Sequence, residues 1–77
     1  MNITLLKEIL NKREPGLVYL FESDLYKTID ADLGNHIRGI LTDEFCDTGM
    51  NDPEGNEINE RGLQIEKLID DVGNLFM

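Results

Sequence analysis

The chain predicts an all-α fold, a small four-helix bundle-like single domain spanning residues 1–77, and three observations carry that reading. Apolar residues recur at helical spacing along most of the chain. Turn formers punctuate it at helix-length intervals, in Glu14-Pro15-Gly16, in Thr48-Gly49 and in the stretch from Met50 to Glu57. Only one run, Leu17-Val18-Tyr19-Leu20-Phe21, has strand-like composition, and a lone strand would leave its backbone groups unpaired. Seventy-seven residues leave no room for a second core. A domain of this size buries only about 60% of its unfolded surface, so tight helix packing or dimerisation is expected to help.

The first helix is expected from about Ile3 to Arg13, with Asn2 or Thr4 as cap and Leu6, Ile9 and Leu10 on one stripe. Glu14 precedes Pro15 and so avoids the α region, and Gly16 supplies the turn. Read as helix, residues Leu17 to Thr28 place Leu17, Phe21, Leu25 and Ile29 on one face. A third helix follows from about Ala31 to Asp47, capped by Asp30, with a stripe of Leu33, Ile37, Ile40, Leu41 and Phe45. Gly34 and Gly39 lie inside it, each costing roughly 1 kcal/mol against alanine; they either permit close helix approach or mark a bend. The last helix is expected from Asn59 to about Asn74. Ile58 and Leu63 have the spacing of a hydrophobic staple, and Ile65, Leu68, Ile69, Val72 and Phe76 form its apolar face.

Charge is the strongest functional signal. The net charge is −9, and it is unevenly spread. Between Arg38 and Arg61 there is no base and there are seven carboxylates: Asp43, Glu44, Asp47, Asp52, Glu54, Glu57 and Glu60. Such a field repels nucleic-acid phosphates and anionic lipid, and steers toward basic protein surfaces. Solubility is the competing explanation for it. One cysteine, Cys46, excludes an internal disulfide and a multi-cysteine metal site. The N-terminus shows no basic leader followed by a long apolar run, and Leu17 to Phe21 is too short to span a bilayer. A cytoplasmic protein that neither spans a membrane nor binds nucleic acid directly is the expectation.

Motifs for chemistry do not assemble. Oxygen donors crowd the stretch from Asp47 to Glu57, yet neither register, from Asp47 or from Asn51, places ligands, glycine and glutamate as an EF-hand requires. His36 and Cys46 lie ten apart on the third helix, about 80° around it and roughly 15 Å along it, too far for proton transfer. The adjacent carboxylates Asp43-Glu44 and Asp70-Asp71 point about 100° apart. No catalytic residue, cofactor or metal is expected, and the chain reads as a non-enzyme.

Glu44 falls between Ile40, Leu41 and Phe45, near the centre of its helix's apolar stripe. A carboxylate there needs a partner. Arg61 at the start of the last helix is the natural one, with that helix's N-terminal amides second; a partner-facing Glu44 is the functional alternative. Tyr19 and Tyr26, seven apart with Glu22 beside them, would share a face of a continuous second helix, as an interface patch or as a second packing face.

Residues 40–72 carry Ile40-Leu41-x-Asp43-Glu44-Phe45-x-x-x-Gly49 and then Glu57-x-Asn59-Glu60-Arg61-Gly62-Leu63-x-Ile65-Glu66-x-Leu68-Ile69-Asp70. This resembles a family of short uncharacterised bacterial proteins with a D-E-L-x-x-x-G stretch followed by E-P-N-E-R-G-x-x-L-E-x-L-I-D. The match covers a little under half the chain and departs at Phe45 and Ile58, where the family has leucine and proline. The resemblance implies no activity. It implies that Glu44, Asn59 and Arg61 belong to a structural signature. Size, charge and helicity also agree, at the level of class, with acidic helical immunity proteins that neutralise nuclease toxins, although the Tyr-Tyr-Pro motif of the nuclease-colicin group is missing.

The expected function is therefore a small binding module of inhibitor or immunity type. It would occlude a basic protein partner through Asp43, Asp47, Asp52, Glu54 and Glu57, with Tyr19, Glu22 and Tyr26 as an anchor patch. The alternative is a self-assembling helical module, a homodimer formed on Leu17 to Phe21 or on Leu75-Phe76-Met77.

Overall fold

A computed structural model of the chain describes residues 1–50 and 57–75. Asp52, Glu54, Phe76 and Met77 lie outside the described residues. The fold is all-α. Helix α1 spans Ile3–Arg13, α2 is a single turn at Tyr19–Glu22, α3 spans Ala31–Thr48 and α4 spans Glu60–Gly73. Two 3-10 turns, Pro15–Leu17 and Asp24–Thr28, flank α2.

Each long helix begins on a side-chain cap. Asn2 Oδ1 accepts from the Leu5 amide at 3.1 Å, Asp30 Oδ1 from Leu33 at 2.8 Å, and Asn59 Oδ1 from Gly62 at 2.8 Å. Each satisfies one of the amides that a helix start leaves without an internal partner. The apolar stripes then meet in one core. Leu6, Ile9 and Leu10 of α1, Ile37 and Leu41 of α3, and Ile65, Leu68 and Val72 of α4 are fully buried. Burying side chains of this kind stabilises by about 1.5–3 kcal/mol each relative to exposure. α3 and α4 make the most extensive helix pair, and α1 packs on α3.

The expected second helix, Leu17 to Thr28, is not continuous. Ser23 has extended backbone (φ −137°, ψ −173°) and interrupts it. Its hydroxyl lies near both the Tyr19 carbonyl and the Leu25 amide, a local alternative to helical bonding that serine offers readily. Val18, Tyr19 and Phe21, β-branched or aromatic, add little helix propensity to resist it. The stripe is broken in consequence. Phe21 and Ile29 join the core, Leu17 is half-buried, and Leu25 faces out.

Within α3 the two interior glycines do not interrupt the helix. Gly34 is buried, and Gly39 is exposed with open space where a Cβ would project. Ile58 and Leu63, spaced as a staple, are both exposed; Ile58 forms an isolated antiparallel bridge with Met50.

Gly49 and Gly62 form a close junction between the end of α3 and the start of α4. A Cβ on Gly62 would collide with the Gly49 carbonyl oxygen and approach Ile58 Cγ2 to 2.7 Å. One on Gly49 would meet the Phe45 carbonyl oxygen at 2.6 Å and the Gly62 Cα at 3.0 Å. Asn59 stitches the same junction. Its side-chain amide donates to the Thr48 carbonyl at 2.9 Å, and its backbone amide donates to the Gly49 carbonyl at 3.0 Å. The end of α3 thus finds partners for its last carbonyls in the cap of α4.

Candidate functional site

Glu44 has no exposed surface, as its place in the α3 stripe predicts. Its Oε1 accepts from Arg13 Nε at 2.8 Å and Lys12 Nζ at 3.1 Å. Its Oε2 accepts from Arg61 Nη2 at 3.0 Å and the Thr48 hydroxyl at 2.9 Å. Arg61 also donates through Nε to the Thr48 oxygen at 3.1 Å, and its Nη1 reaches Glu8 at 3.5 Å. Arg13 completes the cluster by pairing with Asp47. One carboxylate on α3 therefore ties the end of α1 and the start of α4 to the same point.

The electrostatics follow from that geometry. Burial pushes the Glu44 carboxyl up, but hydrogen bonds from Arg13, Arg61, Lys12 and Thr48 outweigh it and hold the group at about 2, against an ordinary 4.5. Arg13 is held above the usual arginine range by its bond to Glu44 and then by Asp47. Four donors saturate the roughly four acceptor sites of a carboxylate. Glu44 is thus permanently ionised near neutral pH and fully engaged, so it is a poor general base. It is a clamp.

Arg61 takes the position expected of it, and Asn59 is the cap. Lys12, Arg13 and Thr48 were not expected. One signal pointed to the first two: Lys12-Arg13 is the only adjacent pair of bases in a chain that has seven, and it lies in the last turn of a helix, where cations are favoured. A second unanticipated tie joins His36 Nε2 of α3 to Glu14 Oε2 at 2.6 Å.

The expected partner-facing residues separate into groups. Asp43 and Asp47 are exposed and lie one turn apart on α3, although Asp47 is engaged by Arg13. Glu57 is exposed beside Ile58, across the Met50 bridge. Tyr19 and Glu22 are exposed on α2. Tyr19 and Tyr26 do not share one helix face, because the break at Ser23 falls between them. Tyr26 is half-buried and stacks on Phe21, with ring centroids 5.4 Å apart and planes 18° from parallel. Among the described residues no three His, Cys, Asp or Glu side chains converge as a metal site, and no helix is long and apolar enough to cross a membrane.

No known protein family, curated protein or solved structure matches the chain.

Proposed function

We propose that this chain is a small acidic protein-binding module of inhibitor or immunity type, bundle-like in its helix packing, that occludes a basic protein partner in a reducing cytoplasm. The observation that supports this is where the bases go. Lys12, Arg13 and Arg61 meet Glu44, Asp47 and Glu8 in one charge-balanced cluster. The rest of the chain is left with four bases and thirteen carboxylates, so the whole −9 excess sits outside the clamp. Asp43, Glu57 and, in sequence, Asp52 and Glu54 supply a steering field outside the clamp, while Asp47, expected to share in it, is already paired with Arg13. Tyr19 and Glu22 supply contact area, with Tyr26 behind them. Phosphate-bearing partners would be repelled, and the clamp's chemistry gives no reason to read an enzyme.

The test is affinity capture from the native host followed by association kinetics on the purified partner. A basic partner whose association rate falls steeply with salt, and falls further in Asp43→Asn, is the expected result. An affinity indifferent to salt would overturn the reading. The exposed Tyr19 and Leu25 also suit a homodimer, and sedimentation across a concentration series separates that reading: a tight dimer that hides both residues favours self-assembly.

A further inference from the structure

The break in the second helix leaves something behind. Tyr19 and Leu25, 56% and 50% exposed, flank an open groove of about 290 Å³ whose lining continues through Leu20, Ile29, Asp30 and Leu33. Leu20 and Ile29 are buried, so the lining joins the core itself. Between Tyr19 and Leu33 the chain carries exposed Glu22, Asp24, Asp30 and Asp32 against one base, Lys27, itself 3.7 Å from Asp24. An apolar depression with Asp30 in its lining and an acidic excess in the flanking sequence is complementary to an apolar side chain flanked by cations.

We infer that this groove is the anchor site of the module: it takes one or two aliphatic side chains of the partner from a segment flanked by lysine or arginine. The inference rests on the acidic-module reading and adds where the partner's contact is centred. Charge decides the occupant. A second copy of this chain carries the same net charge of −9 and would set like charge against like, whereas a basic segment would meet Asp30 in the lining and the acidic excess of the flanking sequence. Exposed aromatic and aliphatic walls around a buried floor, with Asp30 among them, match the anatomy of interface hot spots.

Three labelled hexapeptides test this on the intact chain at low salt: Lys-Lys-Leu-Leu-Lys-Lys, the same peptide with serine for leucine, and the same with glutamate for lysine. The leucine–lysine peptide is expected to bind at least about tenfold tighter than the serine peptide. The double variant Tyr19→Ser, Leu25→Ser should abolish that difference and leave the serine peptide's binding unchanged. Both positions are exposed, and an unchanged thermal melt would confirm that the variant folds. Amide NMR shifts on the unmutated chain give an independent readout, with the leucine–lysine peptide moving Leu20, Leu25 and Leu33 selectively. Equal binding of the leucine and serine peptides would overturn the groove and leave the acidic module standing. No binding of either basic peptide would remove both. Equal binding of the glutamate peptide would refute the charge argument, and self-association lost in the double variant would assign the groove to a second copy.

Discussion

Replacing Glu44 with glutamine keeps the side chain's shape and removes the charge on which three helices converge. The carboxyl is lowered from 4.5 to about 2, and at about 1.4 kcal/mol per pKa unit the ionised form gains about 3 kcal/mol from folding. Geometry gives a similar figure. Removing one partner of a buried charge cluster costs about 3–5 kcal/mol. Lys12, Arg13 and Arg61 retain 54%, 22% and 33% exposure, so they can return to water and keep the cost near the lower end. A domain of this length has a total stability of roughly 4–12 kcal/mol, so the variant is expected to remain folded with a much reduced margin. The pH dependence is the sharper test. Glu44 is ionised in the folded chain down to about pH 2, whereas in the unfolded chain it takes its proton near 4.5. Its contribution is therefore complete above about pH 5 and is lost as pH falls toward 2. Urea unfolding of both chains, followed by far-UV circular dichroism, should show a gap of about 3 kcal/mol at pH 7 that shrinks to a small fraction of that at pH 2. Urea carries no charge, so it does not screen the cluster as guanidinium chloride would, and carboxylates common to both chains largely cancel. A gap that stays constant from pH 7 to pH 2 would refute the ionised clamp.

Substitutions at three further positions probe the same scaffold. Gly62→Ala drives a methyl into the Gly49 carbonyl, a backbone atom with no rotamer to change, and should destabilise by about 2 kcal/mol or more in chemical unfolding. Gly39→Ala meets open space in the middle of α3 and should stabilise by about 1 kcal/mol, raising the melting temperature by about 4–8 °C. Asn59→Ala removes the α4 cap and the donor to Thr48 and should cost about 1–2 kcal/mol. Asn59→Asp keeps the cap oxygen and should recover part of that loss in the same assay.

Within α1, α3 and α4, local rules were enough. Helical spacing and the caps Asp30 and Asn59 are written in neighbouring residues, so the starts of α3 and α4 are legible in them; for α1 the sequence leaves Asn2 and Thr4 open, and Asn2 is the cap. The same spacing placed Glu44 inward, because a stripe position is a property of its own helix. The segment from Leu17 to Thr28 shows the limit of that logic. Its i, i+4 pattern fits a helix, but Ser23 offers the backbone a competing local arrangement, and the outcome depends on how the flanking residues dock. The exposed groove at Tyr19 and Leu25 follows from that outcome and is invisible to periodicity.

Local sequence thus specifies three helices, the caps of α3 and α4, an inward carboxylate in need of cations, and a large acidic excess. Tertiary structure alone decided which cations answer Glu44. Lys12 and Arg13 lie 32 and 31 residues away in the chain, and only the docking of α1 on α3 brings them within reach. It also decided why Gly49 and Gly62 are glycines. Their requirement is the contact of two backbones, which neither glycine's local sequence encodes. Helix periodicity is local, whereas charge pairing and close approach are settled between segments.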